Sequence, residues 1–181
     1  MIEIRPARRE DAELVSQCVL ASVNLYDFAN DSIEKDVALL VCGQDDTLYS
    51  WKNARIALVD GVPAGCLVSY DGAGYARMRE ITFKYFKDAG REMTGTDMET
   101  GPGEYYLDSM AIRPEFRGLD IGHMLMRSAI DEALANGFSA ISLIVETDKP
   151  KLQDYYEQLG FVPEEQINAF GDTYNRMIFR K

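Results

Sequence analysis

The chain carries one histidine, His123, and three cysteines, Cys18, Cys42 and Cys66, in 181 residues. The cysteines lie far apart, and nothing near them gives the short ligand spacing of a zinc site, so no metal is expected. An odd number of thiols in apolar contexts predicts buried free cysteines in a reducing compartment, with the cytoplasm as the expected location. No apolar run approaches the ~20 residues that span a bilayer and the N-terminus is polar, so no membrane partner is expected. Repeats and low-complexity tracts are also missing. Positive charge is in deficit: 19 Lys and Arg against 30 Asp and Glu leave a formal net charge of -11. Such a surface repels phosphate backbones and excludes nucleic acid as an expected partner, whereas it favours cationic amines.

What is present suits one domain over residues 1–181, with 46% hydrophobic and 27% charged residues. Ile2-Glu3-Ile4-Arg5 alternates and stops at Pro6, which predicts a first strand. Asp11 is placed to cap a helix reaching about Asn24, with Leu14, Val15, Cys18, Val19 and Ser22 inward. A short second helix is expected from Ser32 to about Gly43, with Tyr26, Phe28 and Asn30 in the loop between. Residues 54–70 read as a hairpin turning at Asp60-Gly61, with Gly65 marking a bulge. Helical spacing resumes from Tyr75 to Asp88. Residues 90–103, rich in glycine and threonine without apolar period, read as a surface loop. Together 72–103 form a variable helix-loop segment.

The organising stretch runs from Glu104 to Gly137. A strand, Glu104–Ile112, ends at Pro114, a glycine-containing turn follows, and Ile121, Leu125, Met126, Ala129, Ile130 and Ala133 mark one face of a helix that Asn136-Gly137 stops. A strand feeding a helix through such a turn leaves the first helical N–H groups unpaired and aims the positive end of the dipole into the turn, where an anion is favoured. Beyond it, 138–146 predicts a strand, Lys151–Leu159 a helix ended by Gly160, and Phe161-Val162 and Tyr174–Arg180 two closing strands. The turn lacks the Gly-x-Gly-x-x-Gly spacing of a dinucleotide fold.

The order of these features resembles the GNAT acetyltransferase superfamily. That family writes its turn Gln/Arg-x-x-Gly-x-Gly/Ala, here Arg117-Gly118-Leu119-Asp120-Ile121-Gly122, and places a tyrosine before Gly-Phe on a later helix, here Tyr156-Glu157-Gln158-Leu159-Gly160-Phe161. Ile4-Arg5-Pro6-Ala7 with Glu10-Asp11-Ala12 is similar to a GNAT first strand and helix, so the resemblance covers nearly the whole chain apart from 72–103. It implies an α/β (α+β) fold with a central mixed, mostly antiparallel sheet of about six or seven strands flanked by helices.

The resemblance also implies an N-acetyltransferase that moves an acetyl group from acetyl-CoA to a primary amine of a small molecule by direct attack. A non-catalytic acyl-CoA sensor and a protein N-acetyltransferase are the alternatives, and an exposed edge among the closing strands permits a homodimer. By resemblance the pyrophosphate lies on Arg117, Gly118, Leu119, Asp120, Ile121, Gly122 and the backbone of His123. The pantetheine arm pairs like an extra strand with Met110, Ala111 and Ile112, and Lys149 meets a coenzyme phosphate. Tyr156 falls where the family has its proton donor to the leaving sulfur, and Tyr155 is expected to cover core. With no histidine in the first strand or helix, Asp108 is the expected base, sharing a face with Glu104, Tyr106 and Met110 by two-residue alternation. Asp120 departs from the family's inner glycine. As an N-cap it takes the N–H of Gly122 or His123, and at ~5 Å and an effective dielectric of ~20 it repels a phosphate by roughly 3 kcal/mol, unless it turns to solvent or Arg113 and Arg117 offset it.

Overall fold

A computed structural model describes residues 1–23, 35–92 and 95–181. The elements are β1 (Ile2–Pro6), α1 (Ala12–Ser22), α2 (Lys35–Cys42), β2 (Ala54–Val59), β3 (Val62–Asp71), α3 (Tyr75–Asp88), β4 (Glu104–Ile112), α4 (Ile121–Ala135), β5 (Ala140–Glu146), α5 (Pro150–Gln158), β6 (Val162–Ala169) and β7 (Asp172–Arg180). The expected start of α2 at Ser32, and Tyr26, Phe28 and Asn30, lie outside the described residues. All seven strands form one sheet in the order β1-β2-β3-β4-β5-β7-β6. Only β4 and β5 run parallel; the other neighbours are antiparallel.

The β2–β3 hairpin turns at Asp60 and Gly61, both at positive φ, as the twist of a two-residue hairpin demands. Its register shifts beside Gly65. A Cβ at Gly65 would lie 2.5 Å from the Ala111 carbonyl oxygen, so the glycine is what lets β3 close on β4 there.

A second bulge decides the layout of the site. Val68 pairs with Ser109 and Ser69 with Leu107, which leaves Asp108 without a partner on β3. An extra residue reverses the alternation of side chains beyond it. Tyr105 and Leu107 pack into the core under α4, and Tyr106 into the core under α1; past Asp108 the assignment swaps, so Met110 and Ile112 point to the α4 side and Ala111 to the α1 side. The expectation that Met110 shares a face with Tyr106 is thereby corrected: simple alternation does not survive the bulge.

Pairing of β4 with β5 covers three positions, Glu104 with Ala140, Tyr105 with Ile141 and Tyr106 with Ser142. After them β5 continues on β7 as far as Glu146 opposite Tyr174, while β4 from Leu107 onward runs with a bare edge on that side. The sheet opens as a wedge whose apex lies next to Asp108.

Three local expectations change. Asp11 does not cap α1: its carboxylate takes two bonds from the Arg5 guanidinium, at 2.7 and 3.0 Å, and the Arg8 N–H at 2.7 Å. The strand expected at Phe161-Val162 runs to Ala169, its length disguised by Pro163, Glu164 and Glu165, residues that an exposed sheet edge tolerates. The segment expected as a surface loop buries Glu99 and Thr100. It is tied down by Arg176 Nε on the Glu99 carbonyl at 3.3 Å and by two bonds between Asp97 and Asn168, each 2.8 Å: the Asp97 N–H donates to the Asn168 carbonyl and the Asn168 N–H to the Asp97 carboxylate.

Candidate active site

The first half of the site is made of backbone. After β4 the chain turns through Pro114–Phe116, and Gly118 and Asp120 take left-handed conformations at φ 81° and 60°. Glycine does so freely, and aspartate is among the few other residues that adopt it. The first bond at the start of α4 runs from the Met124 N–H to the Asp120 carbonyl, 3.2 Å. The N–H groups of Ile121, Gly122 and His123 therefore have no partner four residues back and face the turn with the positive end of the dipole. Asp120 occupies the N-cap position, yet its side chain makes no cap bond and is exposed. The expectation that it takes the amide of Gly122 or His123 is corrected, because left-handed φ carries the carboxylate away from the helix axis.

Around this turn lies a cleft of about 410 Å³. Of the residues expected there, Met110, Ile112, Arg117, Gly118, Asp120, Ile121, Gly122 and His123 line it, joined by Phe116 and Tyr155. Three others do not. The Ala111 side chain lies on the opposite face, where its carbonyl accepts the Cys18 thiol at 3.5 Å. Leu119 is exposed, and Lys149 pairs with Glu146 at 2.6 Å. Arg113 turns away to the Pro63 carbonyl and Gln17, leaving Arg117 as the arginine of the cleft wall.

Of the two tyrosines of α5, the one expected to cover core does not. Tyr155 stands in the cleft wall, where burial and then the Asp120 charge raise its phenol above the ordinary range. Tyr156 packs beside the α4-side core, its ring 6.2 Å from Phe161 and 5.5 Å from Tyr155. Burial, followed by Tyr155 and Glu146, holds its proton well above the usual phenol value. Among the described residues no hydrogen bond engages its hydroxyl.

The second half is made of side chains on the α1 side of β4. Asp108, on the bulge, accepts hydrogen bonds from the Tyr70 hydroxyl and, at 2.7 Å, from Ser109 Oγ. Desolvation, and then the charge of Glu99, push its carboxyl up to about 7 despite those two donors. Glu99 is 5% exposed and takes the hydroxyls of Tyr75 at 2.9 Å and Tyr106 at 2.5 Å. The rings of Tyr70, Tyr75 and Tyr106 pack on one another at centroid distances of 5.8 to 6.5 Å, and Tyr49 lies against the same cluster. Desolvation raises all four phenols, so they stay protonated, and Tyr70, Tyr75 and Tyr106 donate to the two acids. Sequence reasoning missed Glu99, Tyr70 and Tyr75. The one available signal was a lone glutamate flanked by uncharged residues in Asp97-Met98-Glu99-Thr100.

Chemically, the cleft presents anion-binding amides, and a bare strand edge runs from it toward the wedge apex. At the apex stands a carboxylate that is half ionised near neutral pH, suited to take a proton from an incoming cationic group.

Comparison with known proteins identifies the family and the fold. A family model described as the acetyltransferase (GNAT) family matches residues 24–161. A thialysine N-epsilon-acetyltransferase from Bos taurus is 26% identical over 162 residues, 88% of this chain and 83% of the bovine one. A crystal structure of an acetyltransferase superposes with a TM-score of 0.78 at 26% identity over 98% of each chain. That of an N-acetyltransferase from Staphylococcus aureus Mu50 superposes at 0.80, with 20% identity over 97% of this chain and 99% of the other.

Proposed function

Since the chain belongs to the acetyltransferase (GNAT) family and is an acyl-coenzyme A-dependent transferase, we propose that it moves an acetyl group from acetyl-CoA to a primary amine of a cationic small molecule. The observation that carries this reading is the placement of Asp108: a carboxyl near its midpoint at neutral pH, at the apex where β4 leaves β5. The bovine relative, named for acetylating the ε-nitrogen of thialysine, supports an amine acceptor.

The residues present fit the coenzyme. Unpaired N–H groups at Ile121, Gly122 and His123, with Arg117 beside them, suit a pyrophosphate, and Gly118 and Gly122 keep side-chain bulk out of its path. On the edge of β4 that β5 leaves unpaired, Met110 and Ile112 offer main-chain groups to an extended amide-bearing arm, with Arg117 Nε on the Ile112 carbonyl at 3.3 Å to be displaced, while the Ala111 carbonyl faces β3. Leu119 and Lys149 lie outside the cleft lining. Bound acetyl-CoA supplies the activated thioester. The acidic tyrosine cluster attracts the protonated amine, Asp108 Oδ receives the proton it must lose before attack, and Tyr156 Oη donates a proton on the leaving side. Three buried free thiols suit the reducing cytoplasm.

Calorimetric titration with acetyl-CoA, coenzyme A and NAD, then a free-thiol assay over primary amines including thialysine, tests this. The expected result is micromolar binding of the first two ligands alone and turnover of amines without a carboxylate next to the reacting nitrogen. Binding without turnover of any amine would favour a sensor. Tyr156→Phe should lower kcat by about 10- to 100-fold; a rate unchanged across pH would remove the tyrosine from the mechanism.

A further inference from the structure

Among the described residues two carboxylates are buried, Asp11 and Glu99. Asp11 has the Arg5 guanidinium against both oxygens. Glu99 has two neutral hydroxyls and no cation in contact. The Arg79 guanidinium is near enough to favour its charge, but that arginine donates to the Thr96 carbonyl at 2.5 Å and lies over the Phe83 ring. A buried carboxylate held in this way is costly to the fold unless its surroundings have a use for it.

The use follows from the cluster. Glu99 grips Tyr75 and Tyr106; their rings pack on Tyr70, and the Tyr70 hydroxyl is on Asp108. Two acids thus share one dry tyrosine cluster, and a negative charge on one makes the other hold its proton more tightly. The other groups in the cluster are uncharged: Tyr49 ahead of β2, the thiols of Cys18 on α1, Cys42 on α2 and Cys66 on β3, and the tyrosines themselves. Arg79 on α3 supplies the nearby positive charge.

We propose that Glu99 is a positioning residue of the acceptor site, fixing the Tyr75–Tyr106–Tyr70 cluster and making Asp108, by its charge, a stronger base toward the acceptor's ammonium group. The proposal rests on the reading of Asp108 as that base. It also gives the variable segment before β4 a task, delivery of Glu99 from outside the sheet.

The test is a carboxyl ¹³C NMR titration of the full chain without ligand, with Asp108→Asn identifying the Asp108 resonance. In the wild type that resonance should titrate near neutral pH. In Glu99→Gln, which preserves shape and removes charge, its midpoint should fall by about one pH unit or more. Tyr75→Phe strips one donor from Glu99, keeps Glu99 protonated to higher pH, and should move the Asp108 midpoint the same way by less. This second variant carries the test if the glutamine is not tolerated. A midpoint unmoved in either folded variant would overturn the proposal and leave Glu99 a structural residue. A wild-type spectrum with no near-neutral resonance that Asp108→Asn deletes would instead overturn the reading of Asp108 itself.

Discussion

At the Arg117–His123 turn the working groups are main-chain N–H donors, displayed within seven consecutive residues by two left-handed conformations and a helix start. In the 95–103 segment the working group is one side chain, Glu99, carried to the tyrosine cluster by contacts with α3, β6 and β7. The turn needs almost nothing from the rest of the fold except a strand to enter by. The segment needs most of it. A turn built from backbone keeps its shape with Asp120 at a left-handed φ of 60°, whereas a cluster built from buried side chains is sensitive to a single atom.

Variants on each side make that contrast measurable. Asp108→Asn should lower kcat/KM about 100- to 1000-fold while coenzyme A affinity stays within about twofold; a comparable loss of coenzyme binding would mean that the two halves are not separable. The same variant should be more stable than the wild type at pH 8. The folded-state carboxyl lies above its ordinary value, so the wild type loses stability as pH rises from about 4 through about 7. The gain, read as a Tm increase of about 3–6 °C at pH 8, should vanish near pH 4.

On the backbone side effects should be smaller. Gly118→Ala places a Cβ at φ 81° with no atom within 4 Å, so strain alone acts. About 1 kcal/mol of destabilisation and roughly fivefold weaker coenzyme binding are expected, with kcat for bound substrates unchanged. Asp120→Gly should do the reverse: relief at φ 60° and removal of an exposed carboxylate beside the pyrophosphate turn should tighten coenzyme A binding about threefold, more at low salt than at high. A tightening above tenfold would show that Asp120 obstructs the amides after all.

The same contrast explains what could be read from the sequence. The hairpin at Asp60-Gly61, the helix at Tyr75–Asp88, β4, α4 and the turn between them are local, set by periodicity and turn chemistry within a window of about 15 residues. β6 was foreshortened because an edge strand is free of the apolar alternation that signals an inner one. Glu99 was invisible because its burial is decided by Tyr75 and Tyr106, one 24 residues before it and the other on the following strand. Tyr155 lines the cleft and not the core because adjacent helix residues differ by about 100° and the wall of the wedge depends on how β5 diverges.

The single extra residue in β4 acts on the chain as a frameshift acts on a message. Upstream of Asp108, odd positions face α4; downstream, even positions do. Substitutions at Tyr106 and Glu99 therefore register on one side of the sheet, and those at Met110 and Ile112 on the other. Deleting that one residue would let β4 run in plain alternation with every remaining side chain on the face it has now, and would remove the carboxylate alone.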